Sequence, residues 1–208
     1  MKPIQEIYPL ITGTPRKICI TMHQKPDADA MGSALGLTHF LKQFGHSIRV
    51  ISPTNWADWL NWMPGCKSVL DYEKNKAEAE QLLEEADWLF CLDFNTLSRT
   101  KNLAPKLASL TCIKILIDHH REPEEAAFDF GISDTGKSST CEMIYDLIKE
   151  SGHAGVINQE LADCIYAGVV ADTGSFRFSS THAGVHRLVA DLKDRGLEHM
   201  HVHDNLFD

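Results

Sequence analysis

Short apolar runs recur along this chain, and acidic or imidazole residues close them. Lys17-Ile18-Cys19-Ile20-Thr21-Met22 leads into His23-Gln24-Lys25-Pro26-Asp27-Ala28-Asp29, and Trp88-Leu89-Phe90-Cys91-Leu92 leads into Asp93. Ile113-Lys114-Ile115-Leu116-Ile117 leads into Asp118-His119-His120, and Ile165-Tyr166-Ala167-Gly168-Val169-Val170-Ala171 leads into Asp172-Thr173-Gly174. Continuous apolar runs of this length fit strands covered on both faces, as in a parallel sheet. Ligands of a hydrolytic enzyme that holds two divalent metals are drawn from these residue types. Strands ending in them would deliver them to one edge of a sheet.

Five runs fit strands: Lys17–Met22, 48–52, Trp88–Leu92, 113–117 and 128–132. Helical patterns alternate with them. Residues 30–44 carry Leu35, Leu37, Phe40, Leu41 and Phe44 at helical spacing and stop at Gly45. Further helices are predicted over 77–86, 138–150, 159–171 and 182–195. The alternation predicts an α/β fold, a doubly wound and mostly parallel five-stranded sheet with helices on both faces. Ligands in such sheets sit beyond the carboxyl ends of the strands. His23, Asp93 and residues 118–120 all fall there.

The 208 residues suit one sizeable domain. A net charge of −9, from 29 acidic and 20 basic residues, excludes a surface that coats long duplex DNA. It leaves room for a small phosphorylated substrate, because bound metals invert the local charge. The six cysteines contain no C-x-x-C pair and mostly sit in or beside apolar runs, which reads as reduced and buried. No secretory leader is recognisable, and no apolar run approaches the ~20 residues of a membrane span. The expected setting is cytoplasmic, away from membranes. Whether the chain acts alone or as a homodimer is left open.

The donor set mixes nitrogen and oxygen. Two divalent ions are expected, with Mn2+ suited best and Mg2+, zinc or iron compatible. A strand-end carboxylate such as Asp93 can bridge two metals about 4 Å apart. Ser33 is expected to cap a helix, with phosphate contact as the alternative. Arg177, and less directly Arg99 and Arg121, are candidates to grip a phosphate; a plain surface arginine is the alternative. Trp56, Trp59 and Trp62 are spaced to share one face of a short helix packed on the sheet, with a base-stacking platform as the rival reading.

Two further patterns invite other assignments. Gly131-Ile132-Ser133-Asp134-Thr135-Gly136-Lys137-Ser138 satisfies the phosphate-loop pattern. It would follow the fifth strand rather than the first and leaves the His23, Asp27, Asp29 and His119-His120 groups unexplained. The preferred reading is a glycine turn before a helix capped by Ser138, Ser139 or Thr140. The tail Glu198-His199-Met200-His201-Val202-His203-Asp204 is read as solvated histidines rather than a chelating strand.

The ordered motifs His23-x-x-x-Asp27-x-Asp29, Asp93, Asp118-His119-His120 and Asp172-Thr173-Gly174 resemble those of the DHH phosphoesterase superfamily. Asp29-Ala30-Met31-Gly32-Ser33 and the stretch from Ala171 to Ser179 look most like its nanoRNase and pAp-phosphatase branch, also labelled exopolyphosphatase-related. The resemblance covers about residues 17–206. It implies that His23, Asp27 and Asp93 hold one metal, and that Asp29, Asp93, His119 and Asp172 hold the second. It further implies that His120 contacts the scissile phosphate, that Asp118 orients its neighbours, and that the paired metals activate a hydroxide. Implied substrates are short oligonucleotides, linear dinucleotides such as pApA, or the bisphosphate pAp. Alternatives are pyrophosphate or polyphosphate hydrolysis at the same site, or a catalytically weak metal- or nucleotide-binding module. Branch members carry a smaller second domain with a Gly-Gly-His signature. Residues 1–208 lack that motif and are expected to form the DHH catalytic domain alone.

Overall fold

The computed structural model describes residues 1–207. Its strands are β1 (Lys2–Pro3), β2 (Lys17–Met22), β3 (Ser47–Ser52), β4 (Leu70–Asp71), β5 (Trp88–Leu92), β6 (Ile113–Asp118) and β7 (Phe130–Ser133). They form one seven-stranded sheet in the order β1-β7-β6-β5-β2-β3-β4, with every neighbouring pair parallel. Five of the seven are the predicted strands. The other two, β1 and β4, are two-residue edge strands too short to carry a periodic signal.

The helices are α1 (Tyr8–Ile11), α2 (Ala28–Lys42), α3 (Lys76–Glu84), α4 (Ala104–Ser109), α5 (Thr140–Glu150), α6 (Gln159–Asp172), α7 (Ala183–Asp194) and α8 (His199–Phe207). Side chains alternate across the sheet. Ile18, Ile20, Met22, Trp88, Phe90, Leu92, Ile115 and Ile117 face the core built with α2, α5 and α6. Cys19, Ile51, Leu89, Cys91 and Leu116 face a second core with α3 and α4. Both faces are therefore covered, which explains the unbroken apolar runs. All six cysteines are free thiols, and five of them are buried.

One residue moves the start of α2. Asp27 is its N-cap, with Oδ1 accepting from the Asp29 and Ala30 amides at 3.0 Å each, so the helix begins at Ala28 rather than residue 30. Ser33 is consequently inside the helix and not a cap. It is fully buried, and its Oγ donates to Ala30 O at 3.1 Å. Helix α6 presses closely on α2. A Cβ at Gly32 would lie 2.4 Å from Cys164 O, so only glycine admits this approach.

The three tryptophans do not share a helical face. Only a short 3-10 turn, Asp58–Leu60, forms there. Trp56 and Trp62 pack on the core while Trp59 is exposed. The histidine tail is a helix, not an extended chelating strand, and His199 and His201 are exposed as expected, while His203 is half-buried. His203 Nε2 meets Tyr166 Oη at 3.0 Å, and His201 packs edge-on to Trp62. Among the described residues, no helix is long and apolar enough to cross a membrane.

Candidate metal centre

The strand order reverses between β2 and β5. From β2 the chain winds outward through β3 and β4, then returns to the other side of β2 for β5, β6 and β7. Met22 pairs with Leu92, and Leu92 with Ile117, so β2 and β5 end level and β6 runs one residue further. His23 and Asp93 leave the sheet here, at the switch point, beside Asp118, the last residue of β6, which still pairs with Ser133 of β7. Asp93 turns at once into the left-handed region, φ 62°, which an aspartate tolerates better than most residues. That turn leaves its carboxylate buried among the neighbouring loops.

Asp93 occupies the middle of the cluster. Its Oδ2 lies 3.4 Å from His23 Nε2, and its Oδ1 lies 3.4 Å from His119 Nε2. His23 Nε2 is also 3.7 Å from Asp27 Oδ2. His119 Nε2 is 3.3 Å from Asp172 Oδ2 and 3.8 Å from Asp29 Oδ2. Three overlapping donor groups result: His23 with Asp27 and Asp93, Asp29 with His119 and Asp172, and Asp93 with His119 and His120, so Asp93 links the first two. Asp27 is the most exposed member, on the rim, whereas Asp29 is fully buried.

The orientation of each donor has a cause. His23 Nδ1 meets the Gln24 carbonyl at 2.8 Å, which leaves Nε2 to the cluster. His120 Nδ1 meets Asp118 Oδ1 at 2.7 Å, which aims its other nitrogen away from Asp118. Asp118 is fully buried, and its Oδ2 has no hydrogen-bond partner among the described residues. Asp29 is held by the first turn of α5. Its Oδ2 accepts from Thr140 N at 2.7 Å and its Oδ1 from Cys141 N at 2.8 Å. Thr140 Oγ1 donates to Asp93 Oδ1 at 3.0 Å. Ser139 caps this helix by accepting from Glu142 N. Sequence reading missed the roles of Thr140 and Cys141 in the cluster. The Ser138-Ser139-Thr140 run before an apolar helix was the available signal, and it read only as a cap.

Electrostatics are severe here. Burial, then the charges of Asp93 and Asp172, push Asp29 well above its ordinary value. Burial, then Asp93 and Asp27, push Asp172 up to about 7. Burial opposes charging of His23 and His119, but the carboxylates outweigh it. Asp27 and Asp93 carry His23 to about 10, and Asp93, Asp29 and Asp172 carry His119 to about 9.

The His23 shift, to about 10, is the larger of the two. For Asp93 burial works upward, and the imidazoles of His119 and His23 outweigh it and hold the carboxyl well below the usual range.

A divalent cation fits these donors. Separations of 3.3 to 3.8 Å are long for hydrogen bonds. They are close to the spacing, about 3 to 3.4 Å, between neighbouring ligands of one cation with bonds of about 2.1 Å. Four carboxylates converge with two imidazoles, and no lysine or arginine pairs with them among the described residues.

The remaining predicted residues lie around this centre. Arg99 lines a cavity shared with His23, and Arg121 lines another shared with His120. Arg177 is exposed and its Nε donates to Gly174 O at 2.8 Å; no hydrogen bond or ion pair joins it to the cluster among the described residues. The phosphate-loop reading does not survive. Gly131 belongs to β7, and the Lys137 ammonium rests on Asp146 at 2.7 Å and Glu142 at 3.6 Å.

Fold and cluster together define a parallel α/β protein with a carboxylate–imidazole centre at its switch point. Residues 17–169 match the DHH family, N-terminal domain, and the chain belongs to that family. The bifunctional oligoribonuclease and PAP phosphatase NrnA of Thermus thermophilus is 29% identical over 209 residues, 99% of this chain and 57% of the relative. The protein of the same name from Bacillus subtilis is 32% identical over 166 residues, 79% of this chain and 48% of the relative. The crystal structure of an exopolyphosphatase-related protein from Bacteroides fragilis superposes with a TM-score of 0.94 at 36% identity, covering 97% of this chain and 59% of that one. The chain spans about half the length of the curated relatives it matches.

Proposed function

We propose that this chain is the catalytic domain of a divalent-metal-dependent phosphohydrolase acting on short oligonucleotides, linear dinucleotides such as pApA, or the bisphosphate pAp. The observation that carries this reading is the position of Asp93, one carboxylate oxygen toward His23 and the other toward His119. The names of the Thermus and Bacillus relatives support the substrate class.

In this reading His23, Asp27 and Asp93 hold one cation, and Asp29, Asp93, His119 and Asp172 hold a second, with Mn2+ the best match to the mixed donors. Such cations supply Lewis acidity toward water and a counter-charge for the phosphoryl group. The chain's own residues do the positioning. Asp118 fixes the ring of His120, which donates to a phosphoryl oxygen and stabilises the charge that develops there. Thr140 and Cys141 hold Asp29 and Asp93 in place before any ligand arrives. That preorganisation favours a cluster which would otherwise repel itself.

The direct test is release of phosphate or 5′-mononucleotide from pAp and pApA with added Mn2+. Asp93→Ala should abolish turnover, because both donor groups lose their shared carboxylate. Retained activity in that variant contradicts the assignment.

A further inference from the structure

Three of the four cluster carboxylates are oriented by hydrogen bonds from the chain. Asp27 accepts from the Asp29 and Ala30 amides, Asp29 from the Thr140 and Cys141 amides, and Asp93 from the Thr140 hydroxyl. The side chain of Asp172 accepts no hydrogen bond among the described residues; its polar neighbour is His119 Nε2, at 3.3 Å. Asp172 is also the last residue of α6, where helices fray. Its place therefore depends on what holds the backbone just beyond it.

That backbone is unusual. Gly174, Ser175 and Phe176 follow one another in the left-handed region, at φ 55°, 57° and 66°. Residues with a Cβ visit that region singly rather than in runs, and a bulky side chain there is an outlier. Such conformations persist only where the surroundings over-determine them. Buried Thr173 supplies part of the constraint. Its Oγ1 donates to Val169 O at 2.6 Å and accepts from Phe176 N at 3.1 Å, and its carbonyl accepts from Arg177 N at 2.9 Å and Phe178 N at 3.0 Å. The Phe176 ring supplies the rest. Its centroid lies 6.1 Å from that of Tyr166 on α6 and 5.7 Å from that of His186 on α7. Aromatic rings attract at these distances. Tyr166 is a firm abutment, buried and joined through its Oη to His203 on α8.

We infer that Phe176 is the positioning residue of Asp172. Its ring, seated against Tyr166 and His186, holds the left-handed turn closed on the end of α6 and so fixes the one cluster carboxylate that no hydrogen bond holds. The inference rests on the two-cation reading above and deepens it. Only the cation assigned to Asp29, Asp93, His119 and Asp172 depends on Phe176; the cation assigned to His23, Asp27 and Asp93 does not.

The decisive measurement is calorimetric titration of Mn2+ into the metal-free wild type, Phe176→Ala, Phe176→Gly and Phe176→Tyr, with thermal midpoints and turnover of pAp measured alongside. The wild type should take two ions. Phe176→Ala should weaken one of them about 10- to 100-fold, the usual scale for losing a group that orients a metal ligand, and leave the other unchanged. Glycine accepts φ 66° without strain, so loss of the same ion in Phe176→Gly assigns the effect to the ring rather than to the backbone. Phe176→Tyr keeps the ring and should restore the weakened ion. Alanine and glycine variants with both wild-type affinities overturn the role. So does equal weakening of both ions, which is what a general loss of fold would produce. A wild type that binds two ions without hydrolysing pAp contradicts the hydrolase reading, while selective loss in the variants still upholds the role of Phe176. A wild type that binds fewer than two ions overturns the two-cation reading and this role with it.

Discussion

Gly168 on α6 lies directly against Asp29 on α2. A methyl group built there would sit 2.7 Å from Asp29 Oδ1, 2.9 Å from its Cα and 2.3 Å from Cys141 Sγ. Helix α6 therefore backs the most buried carboxylate of the cluster and leaves it no room to retreat. Gly168→Ala should force α6 outward, lowering stability by about 1–3 kcal/mol, the usual range for overpacking. It should also weaken Mn2+ binding, since Asp172 rides on the same helix. Thermal unfolding and calorimetry check both effects. A variant with wild-type midpoint and wild-type metal affinity would show that the contact is not restrictive.

Thr140 touches the cluster in two ways, and they can be separated. Its amide holds Asp29, while its hydroxyl holds Asp93. Thr140→Val keeps the shape and the amide but removes the hydroxyl. Outer-shell losses of this type typically weaken metal binding about 10- to 100-fold. Thr140→Ser should restore most of that loss. Equal affinities for the valine and serine variants would remove the hydroxyl from the account.

How far the letters reported the structure depended on what each residue contributes. β2, β5 and β6 were legible because both faces of each strand are covered, so nearly every side chain is apolar until the chain leaves the sheet. His23, Asp93 and Asp118 were legible for the same reason, as abrupt polar endings. β1 and β4 were not, because two edge residues set no pattern. The start of α2 was misplaced because Asp27 serves as helix cap and cluster member together, and the letter alone showed only the second role. Thr140 and Cys141 escaped because they hold Asp29 through backbone amides, which every residue but proline possesses.

Metal binding should be strongly pH-dependent, with a definite sign. Without metal, neighbouring carboxylates raise His23 to about 10 and His119 to about 9, so both rings carry a proton at neutral pH. Asp172, raised to about 7 by burial and by Asp93 and Asp27, is about half protonated there. A cation must displace these protons, so affinity rises with pH across this range and protons are released on binding. Calorimetry in buffers of different ionisation enthalpy should register that release. Affinity that is flat from about pH 6 to 9 would disconnect these groups from the metal.

Lys137 discriminates between two whole readings of the chain. If the 131–138 stretch cradled nucleotide phosphates, its lysine would face them. Instead its ammonium rests on Asp146 and Glu142, at the flank of α5. Glu142 Oε2 is itself engaged by Ser138 N and Oγ, each at 2.8 Å, which closes the turn onto the helix. Lys137→Ala should therefore cost about 1 kcal/mol or less, as expected for a partly exposed ion pair. It should leave Mn2+-dependent turnover unchanged, and the wild type should show no ATP binding for the substitution to abolish. Nucleotide triphosphate binding that disappears in Lys137→Ala, together with turnover untouched by Asp93→Ala, would move the active centre from the switch point to this turn.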